Sequence, residues 1–279
     1  MSYIFFDASF PTNSGYSLND LLAKGTNNLN KLQEILIRWS THKIGIHTDI
    51  RKMYNTIRLT EKDWCYQRYI WQSDLDANKI PQEKVIKTLI YGIRSSGNQA
   101  EHGLREMANV FKEKYPEVQR IIHEDVYVDD CVTGEETTEV AHTRFQELES
   151  IIHPGGFRLK GITFSGKKPL PELTEDGESI LVGGIKWFPL PDEVSLNISH
   201  LNFSKKTRGK KSLDTINIIP KHLTRRHCAS KVAEVYDLTG KIAPIVASMK
   251  LDLRELCLRR LNWDDVLPDD LRQTLALAL

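Results

Sequence analysis

Cysteine is scarce in this sequence, and none of it stands where a cysteine-based site would need it. The four cysteines are far apart, and no two of them have the Cys-x-x-Cys spacing of zinc or redox sites. The nine histidines include neither a His-Glu-x-x-His helix motif nor a short spacing to a cysteine. These absences exclude the common zinc and thiol-redox sites. The cysteines, interpreted as reduced thiols, are Cys65, Cys131, Cys228 and Cys257.

Long apolar runs and an excess of charge are missing too. No stretch approaches the roughly 20 apolar residues that a membrane-spanning helix needs, and residues 1–7 contain neither a basic leader nor a small-residue cleavage site. A cytoplasmic protein with no membrane partner is predicted. Because the formal net charge is only +1, any surface that binds nucleic acid has to be a local patch.

What is present predicts a mixed α/β protein. With 279 residues, 40% of them apolar, the chain can bury one large core or two modest ones. Apolar spacings of three and four indicate helices, and alternation indicates strands. The patterns predict strands over 3–6, 43–50, 120–128, 131–133 and 157–164, and helices over 28–39, 81–90, 98–115 and 137–152. Further on they predict a hairpin of 181–188 and 194–198, and helices over 224–235 and 242–261.

Two adjacent acids, Asp129 and Asp130, lie at the predicted tip of a hairpin. Folding alone does not require such like-charge repulsion, and a bound cation would relieve it. Carboxylates, water and substrate phosphates are the ligands of Mg²⁺. Asp49, at the end of its own predicted strand, is the candidate third ligand, so that two ions could hold the attacking and leaving oxygens of a phosphoryl transfer. Paired acids are also common in ordinary hairpin turns, and that interpretation stays open.

Several motifs together resemble the reverse transcriptase of Bel/Pao long-terminal-repeat retrotransposons. Further segments are similar to the downstream part of these elements that carries the name Pao retrotransposon peptidase region, which we take as a name and not as an activity. The resemblance covers nearly the whole chain. The motifs that carry it are Asp7-Ala8-Ser9, Ser17-Leu18-Asn19-Asp20, Asp49 to Tyr54, Tyr127 to Cys131, Gly155 to Leu159, Arg225-Arg226, Ile242-Ala243-Pro244 and Trp263-Asp264-Asp265.

The resemblance implies an RNA-directed DNA polymerase. Asp49, Asp129 and Asp130 would be its catalytic metal ligands, with two Mg²⁺ as cofactor and Mn²⁺ as a substitute, and the Ile50 carbonyl would also face a metal. Tyr54 would be the aromatic gate that excludes a ribonucleotide 2′-hydroxyl, although an ordinary core aromatic would look the same. Gly92 and Tyr127 would contact the incoming nucleotide. The partners would be an RNA or DNA template-primer, deoxynucleoside triphosphates and other polyprotein domains, in the cytoplasm or within retroelement particles.

The implied architecture is an α/β (α+β) palm, an antiparallel sheet with packed helices, over residues 1–165. A hairpin and basic linker (166–220) and a helical thumb-like or connection-like region (221–279) would follow. The linker contains Lys205, Lys206, Arg208, Lys210 and Lys211, which could follow a nucleic-acid backbone or simply be a solvated loop.

This sequence departs from the family pattern in three places. Gly97 stands where proline commonly follows the paired serines, Tyr91 stands where many retroviral enzymes have glutamine, and the surroundings of Lys160 fit the fourth motif poorly. Few residues precede Asp7, where the family has basic fingers. The alternative prediction is therefore a catalytically inactive, nucleic-acid-binding remnant of a retroelement.

Overall fold

The computed structural model describes residues 7–72, 80–174, 176–196 and 222–272. The chain divides into two compact units. The first contains the described residues up to Val182 together with Phe188–Glu193, and the second contains Gly183–Trp187 and the described residues from Val194 onward. The fold is mixed α/β, with antiparallel sheets and helices. None of the helices in these ranges combines the length and the apolar composition needed to cross a membrane.

The first unit is built on helices and strands that alternate along the chain. Its helices are α1 (Leu18–Leu21), α2 (Leu32–Trp39), α3 (Met53–Thr56), α4 (Ser96–Val110), α5 (Pro116–Glu124) and α6 (Thr138–Ile152). Its strands are β1 (Ile44–Ile50), β2 (Arg68–Trp71), β3 (Gln82–Val85), β4 (Val126–Tyr127), β5 (Asp130–Glu135) and β6 (Leu159–Phe164).

A four-stranded sheet of order β4-β5-β1-β6 forms the centre of this unit. β1 is antiparallel to both of its neighbours. With α4 and α5 between β1 and β4, and α6 between β5 and β6, these elements follow the β-α-β-β-α-β order of a split βαβ sheet. β2 and β3 form a separate antiparallel ribbon.

The two faces of the sheet are covered by different helices. Alternate residues of a strand point to opposite faces. Ile46 packs against Ala141 of α6, whereas a Cβ on neighbouring Gly45 would lie only 2.7 Å from Trp39 Nε1 of α2. The main core lies on the Ile46 face and includes Ile50, Leu104, Ile121, Cys131 and Ile152.

Two predicted elements are wrong. Residues 81–90 form no helix, because 82–85 pair as β3 with β2 and pairing across the ribbon outweighs local helix signals. Residues 120–128 are not one strand, since α5 reaches Glu124 and buries Val118, Ile121 and Ile122 at helical spacing. Pro116 follows the helix predicted over 98–115, and in the structure it begins α5 in the position that proline favours.

Other boundaries agree closely with the sequence prediction. The predicted helices over 28–39 and 137–152 and the strand over 43–50 are present as α2, α6 and β1. The helix predicted from residue 98 begins at Ser96, so Asn98 lies within its first turn and is not its cap. The strand predicted at 3–6 lies outside the described residues.

Downstream, three short strands follow β6 in the chain. They are β7 (Ile180–Val182), β8 (Ile185–Phe188) and β9 (Glu193–Leu196), in the sheet order β7-β8-β9. The predicted hairpin is confirmed as β8 and β9, while the first predicted strand is split in two by Gly183-Gly184.

Two longer helices follow in the second unit, α7 (Arg225–Glu234) and α8 (Ala243–Leu258), and Pro244 lies in the first turn of α8, where proline is tolerated. Their core consists of Leu223, Cys228, Leu256, Leu267 and Leu271.

Candidate functional site

The sheet register brings the predicted acids to one end of two adjacent strands. Asp49 is the antiparallel partner of Asp130, and the N–H of Ile50 donates a 2.7 Å hydrogen bond to the carbonyl of Asp129. All three acids are half-buried. The prediction that Asp129 and Asp130 form the turn needs one adjustment, because the two-residue turn is Val128-Asp129 and Asp130 begins β5.

The backbone around these acids is strained at two positions. Val128 has a φ of 58° and Lys52 a φ of 51°, in the left-handed region that non-glycine residues rarely adopt and that β-branched residues especially avoid. Such strain persists only where surrounding contacts impose it, and it concentrates at functional sites. Val128 directly precedes Asp129, and Lys52 follows Asp49 by three residues.

A β-bulge lies beside Asp49. Thr48 pairs with Ile162 and Ile50 pairs with Leu159, so the register between β1 and β6 shifts across Asp49. One extra residue of β6, from the pair Lys160-Gly161, therefore lies opposite Asp49. Bulges of this kind change the direction in which a side chain points, and they are frequent next to active sites.

Burial and neighbouring charge raise the pKa of two of the acids. For Asp49, burial is the main cause, Lys160 opposes the rise and Asp130 adds to it. For Asp129, burial again leads, its own backbone N–H opposes the rise, and the charges of Asp49 and Asp130 add to it. The three carboxylates thus repel one another in a partly desolvated place, where a cation is favoured. Lys160, left unassigned in the sequence prediction, supplies positive charge there.

His47 is a site neighbour that the sequence reasoning missed. Its buried side chain donates from Nε2 to Asp130 Oδ1 over 3.2 Å. Asp49 and His47 are two residues apart on one strand, so they share a face. That period-two spacing is the signal that the sequence offers, whereas a search of the histidines for zinc motifs alone passes over His47.

Two tyrosine rings form a wall beside the acids. The ring centroids of Tyr54 and Tyr91 are 4.4 Å apart, with the planes tilted by 53°. Burial, followed by the charge of Asp129, raises the pKa of both phenols. Tyr91 keeps 57% of its surface exposed. An aromatic surface is therefore available to a ligand next to the carboxylates.

A cavity of about 140 Å³ adjoins Tyr54 and the strained turn. Glu101 is buried in its wall and accepts a 2.8 Å ion pair from Arg105. Burial raises the pKa of Glu101, and Arg105 opposes that rise. Lys24, Met53, Arg94 and Val128 also line the cavity.

The remaining predicted nucleotide-binding residues lie close by. Tyr127 is the β4 partner of Asp130, and Ile50 is buried in the core beneath Asp129. Gly92 has a φ of 91°, which glycine adopts without strain, and its carbonyl accepts a hydrogen bond from Asn19.

A buried ionic network fixes the base of the hairpin. The carboxylate of Asp125 accepts from Arg38 Nε at 2.9 Å, Arg120 Nη1 at 3.1 Å and Thr133 Oγ1 at 2.9 Å. Arg38 also donates to the carbonyl of Glu124. Asp125 directly precedes β4, so these contacts hold the strand that leads to Asp129.

Two further observations concern binding groups. Across the described ranges, no group of three or more His, Cys, Asp and Glu side chains is placed to hold a metal ion. The predicted basic residues Lys205, Lys206, Arg208, Lys210 and Lys211 lie outside the described residues.

In the second unit, two motifs noted in the sequence come together. Arg226 makes a two-pronged ion pair with Asp264, at 2.8 and 2.9 Å. The Arg225 guanidinium lies 4.2 Å from the ring centre of Trp263. Leu267 N–H donates to the Leu223 carbonyl at 2.9 Å. The motifs therefore close a small clasp between the start of α7 and the segment after α8.

A comparison with protein families gives a match that covers the residues of this clasp. Residues 224–278 match the family model described as Pao retrotransposon-like RNaseH-like domain. This supports a Bel/Pao retrotransposon origin. The Pao context inferred from the sequence is thereby supported, and the description of the matched family indicates nucleic-acid-processing enzymes. No curated protein matches the chain. In the described part of the match, residues 224–272, the structure has α7, α8 and a bridge between Thr224 and Val266.

Proposed function

We propose that the chain contains the palm of a retrotransposon RNA-directed DNA polymerase, with Asp49, Asp129 and Asp130 as its catalytic carboxylates. The observation that carries the proposal is the register of β1 and β5, which sets Asp49 opposite Asp130 and ties Asp129 to Ile50. Asp49 thus lies beside an acidic pair from a distant part of the sequence, next to a strained turn and at the positions that the family resemblance implies.

The donor set fits Mg²⁺ by its chemistry. The three carboxylates carry mutual repulsion that a divalent cation would relieve. Because the side chains do not form a three-acid cluster as they stand, the proposal requires them to turn towards one another when metal binds. Bound there, two Mg²⁺ (or Mn²⁺) would stabilise the negative charge that develops on the α-phosphate.

The residues around the acids would orient the substrates. In the proposed reaction, the primer 3′-hydroxyl attacks the α-phosphate of a deoxynucleoside triphosphate and pyrophosphate leaves. The rings of Tyr54 and Tyr91 would contact the deoxynucleotide, and exclusion of a 2′-hydroxyl at Tyr54 would favour deoxynucleotides. His47 would hold the Asp130 carboxylate in place through its hydrogen bond.

Primer extension on an RNA template with Mg²⁺ tests this proposal. Asp129→Asn should lower extension by about 100-fold or more, because one charged metal ligand is lost. Glu136→Gln is the matched control, since Glu136 is an exposed acid just beyond the opposite end of β5. Extension that survives Asp129→Asn would refute the metal assignment.

The alternative is a non-catalytic protein that binds nucleic acid. The RNaseH-like family description and the basic segment Lys205 to Lys211 favour binding of this kind. Salt-dependent binding of a primer-template without extension would favour this alternative. Incubation with an RNA–DNA hybrid would separate hydrolysis of RNA from both outcomes.

A further inference from the structure

Asn19 makes an unusual set of contacts with a loop far along the chain. Its Nδ2 donates to the Gly92 carbonyl at 2.8 Å, and its Oδ1 accepts from the Arg94 backbone N–H at 2.8 Å. The Arg94 guanidinium also donates to the Asn19 carbonyl at 3.2 Å. One side-chain amide therefore satisfies a donor and an acceptor of the same loop, much as a neighbouring strand would.

Asn19 is itself held rigidly. It lies in α1, where Ser17 and Asp20 form a reciprocal capping box. Its backbone N–H donates to the Ala8 carbonyl at 3.0 Å, and its Nδ2 also donates to Ser9 Oγ at 2.9 Å. The amide thus has a fixed position from which to hold the loop.

The loop that Asn19 holds carries one ring of the tyrosine wall. Tyr91 immediately precedes Gly92, and its ring packs against that of Tyr54 in a tilted arrangement, with the ring centroids 4.4 Å apart. Tyr91 is more than half exposed, so contact with Tyr54 covers only part of it. The Asn19 contacts fix this loop just after Tyr91, at Gly92 and Arg94, and so help to keep the ring beside the carboxylates.

We propose that Asn19 is a positioning residue of the nucleotide site, which holds Tyr91 against Tyr54 so that the paired rings bind the incoming deoxynucleotide. This inference rests on the proposed polymerase function. Aromatic rings at a nucleotide site supply stacking surface that tolerates every base. Asn19 touches none of the reacting groups in this scheme and acts through the loop.

Two variants and a control test the positioning role. Asn19→Ala removes both side-chain contacts with the loop, together with the bond to Ser9, whereas Asn19→Asp keeps the acceptor for the Arg94 N–H and loses the donor to Gly92. With oligo(dG) on poly(rC), Asn19→Ala should raise the KM for dGTP about tenfold, while kcat changes less than about threefold. The KM of Asn19→Asp should lie between those of Asn19→Ala and the unsubstituted chain. Asn13→Ala, at an exposed asparagine in the same segment, should behave as the unsubstituted chain.

A double-mutant cycle tells positioning from general destabilisation. Tyr91→Ala should raise the KM as much as Asn19→Ala does, and the double variant should be no worse than Tyr91→Ala alone. Additive effects, or an equal loss of kcat in all variants, would overturn the proposal. Amide exchange over residues 91–95 should also become faster in Asn19→Ala. Unchanged exchange would refute the proposal that Asn19 holds this loop.

The outcomes separate this inference from the function it rests on. If the unsubstituted chain extends no primer but binds dGTP in equilibrium dialysis, and Asn19→Ala weakens that binding, the polymerase proposal fails and the positioning role stands. If the chain extends primers and Asn19→Ala leaves the KM unchanged, the positioning role alone fails. A chain that neither extends primers nor binds dGTP refutes both.

Discussion

Replacing Asp125 by asparagine should loosen the hairpin that carries Asp129. The Asp125 side chain is only 2% exposed, and its two oxygens accept from two arginines and Thr133. Asparagine has nearly the same shape but a single acceptor oxygen. It would keep the bond to Arg38, or the bonds to Arg120 and Thr133, but not all three.

The size of the effect follows from those contacts. A hydrogen bond to a charged group contributes roughly 1.5–3 kcal/mol. The side chains of Arg38 and Arg120 are 36% and 32% exposed, so water partly replaces what they lose. We therefore expect a loss of about 3 kcal/mol in the free energy of opening, less than the 3–5 kcal/mol for breaking a fully buried pair.

Hydrogen exchange of the amides in residues 126–135 measures this opening directly, without contributions from the second unit. A loss of about 3 kcal/mol corresponds to exchange faster by roughly 100-fold. Glu124→Gln is the matched control, because Glu124 is the exposed neighbour whose carboxylate lies 3.7 Å from Arg120. It should change the opening free energy by less than about 0.5 kcal/mol. Equal exchange in the two variants would refute the role given to Asp125.

Two further predictions concern strain and the clasp. In a urea titration, Val128→Gly should change the free energy of unfolding by less than about 1 kcal/mol, because relief of the left-handed valine backbone offsets the lost packing. The control is Val132→Gly in the buried part of β5, which should lower the free energy of unfolding by about 3 kcal/mol in the same titration. Trp263→Ala should speed amide exchange in α7 by roughly fivefold, about 1 kcal/mol, because Arg225 loses its stacking partner. Trp263→Phe should retain most of that protection, and a loss equal to that of alanine would argue against a ring contact.

Elements with strong local periodicity could be predicted from the sequence. The helices α2 and α6 each bury a regular apolar stripe. In the sequence of β1, isoleucine or threonine stands at every second position. Errors arose where distant partners decide the structure. The sequence of β3 has little strand periodicity of its own, and the strand forms because β2 pairs with it. The start of α5 is hard to predict for another reason, because a proline after a helical stretch can either end one helix or begin the next.

The candidate acids were predictable for a different reason. An acidic pair at a hairpin tip is unexpected on folding grounds, and that makes Asp129 and Asp130 visible without a structure. Asp49 is predictable as a third metal ligand because it ends a predicted strand. The sequence could not reveal that His47 reaches Asp130 on the neighbouring strand, nor that Lys160 comes close across the bulge, because both depend on strand register.

The groups that hold the site in shape come from far along the chain, and this explains why sequence reasoning missed them. Asn19 reaches Gly92 across 73 positions, Arg38 reaches Asp125 across 87, and the amide of Asn30 donates to the Val126 carbonyl across 96. Each contact ends on a loop or strand next to the tyrosine wall or the acidic turn. A strained Val128 needs such external restraint, because nothing in its own conformational preference favours a left-handed φ. Changes at Asn19, Asn30 and Arg38 should therefore alter the site, although these hydrogen bonds end on groups other than the carboxylates of the proposed metal centre.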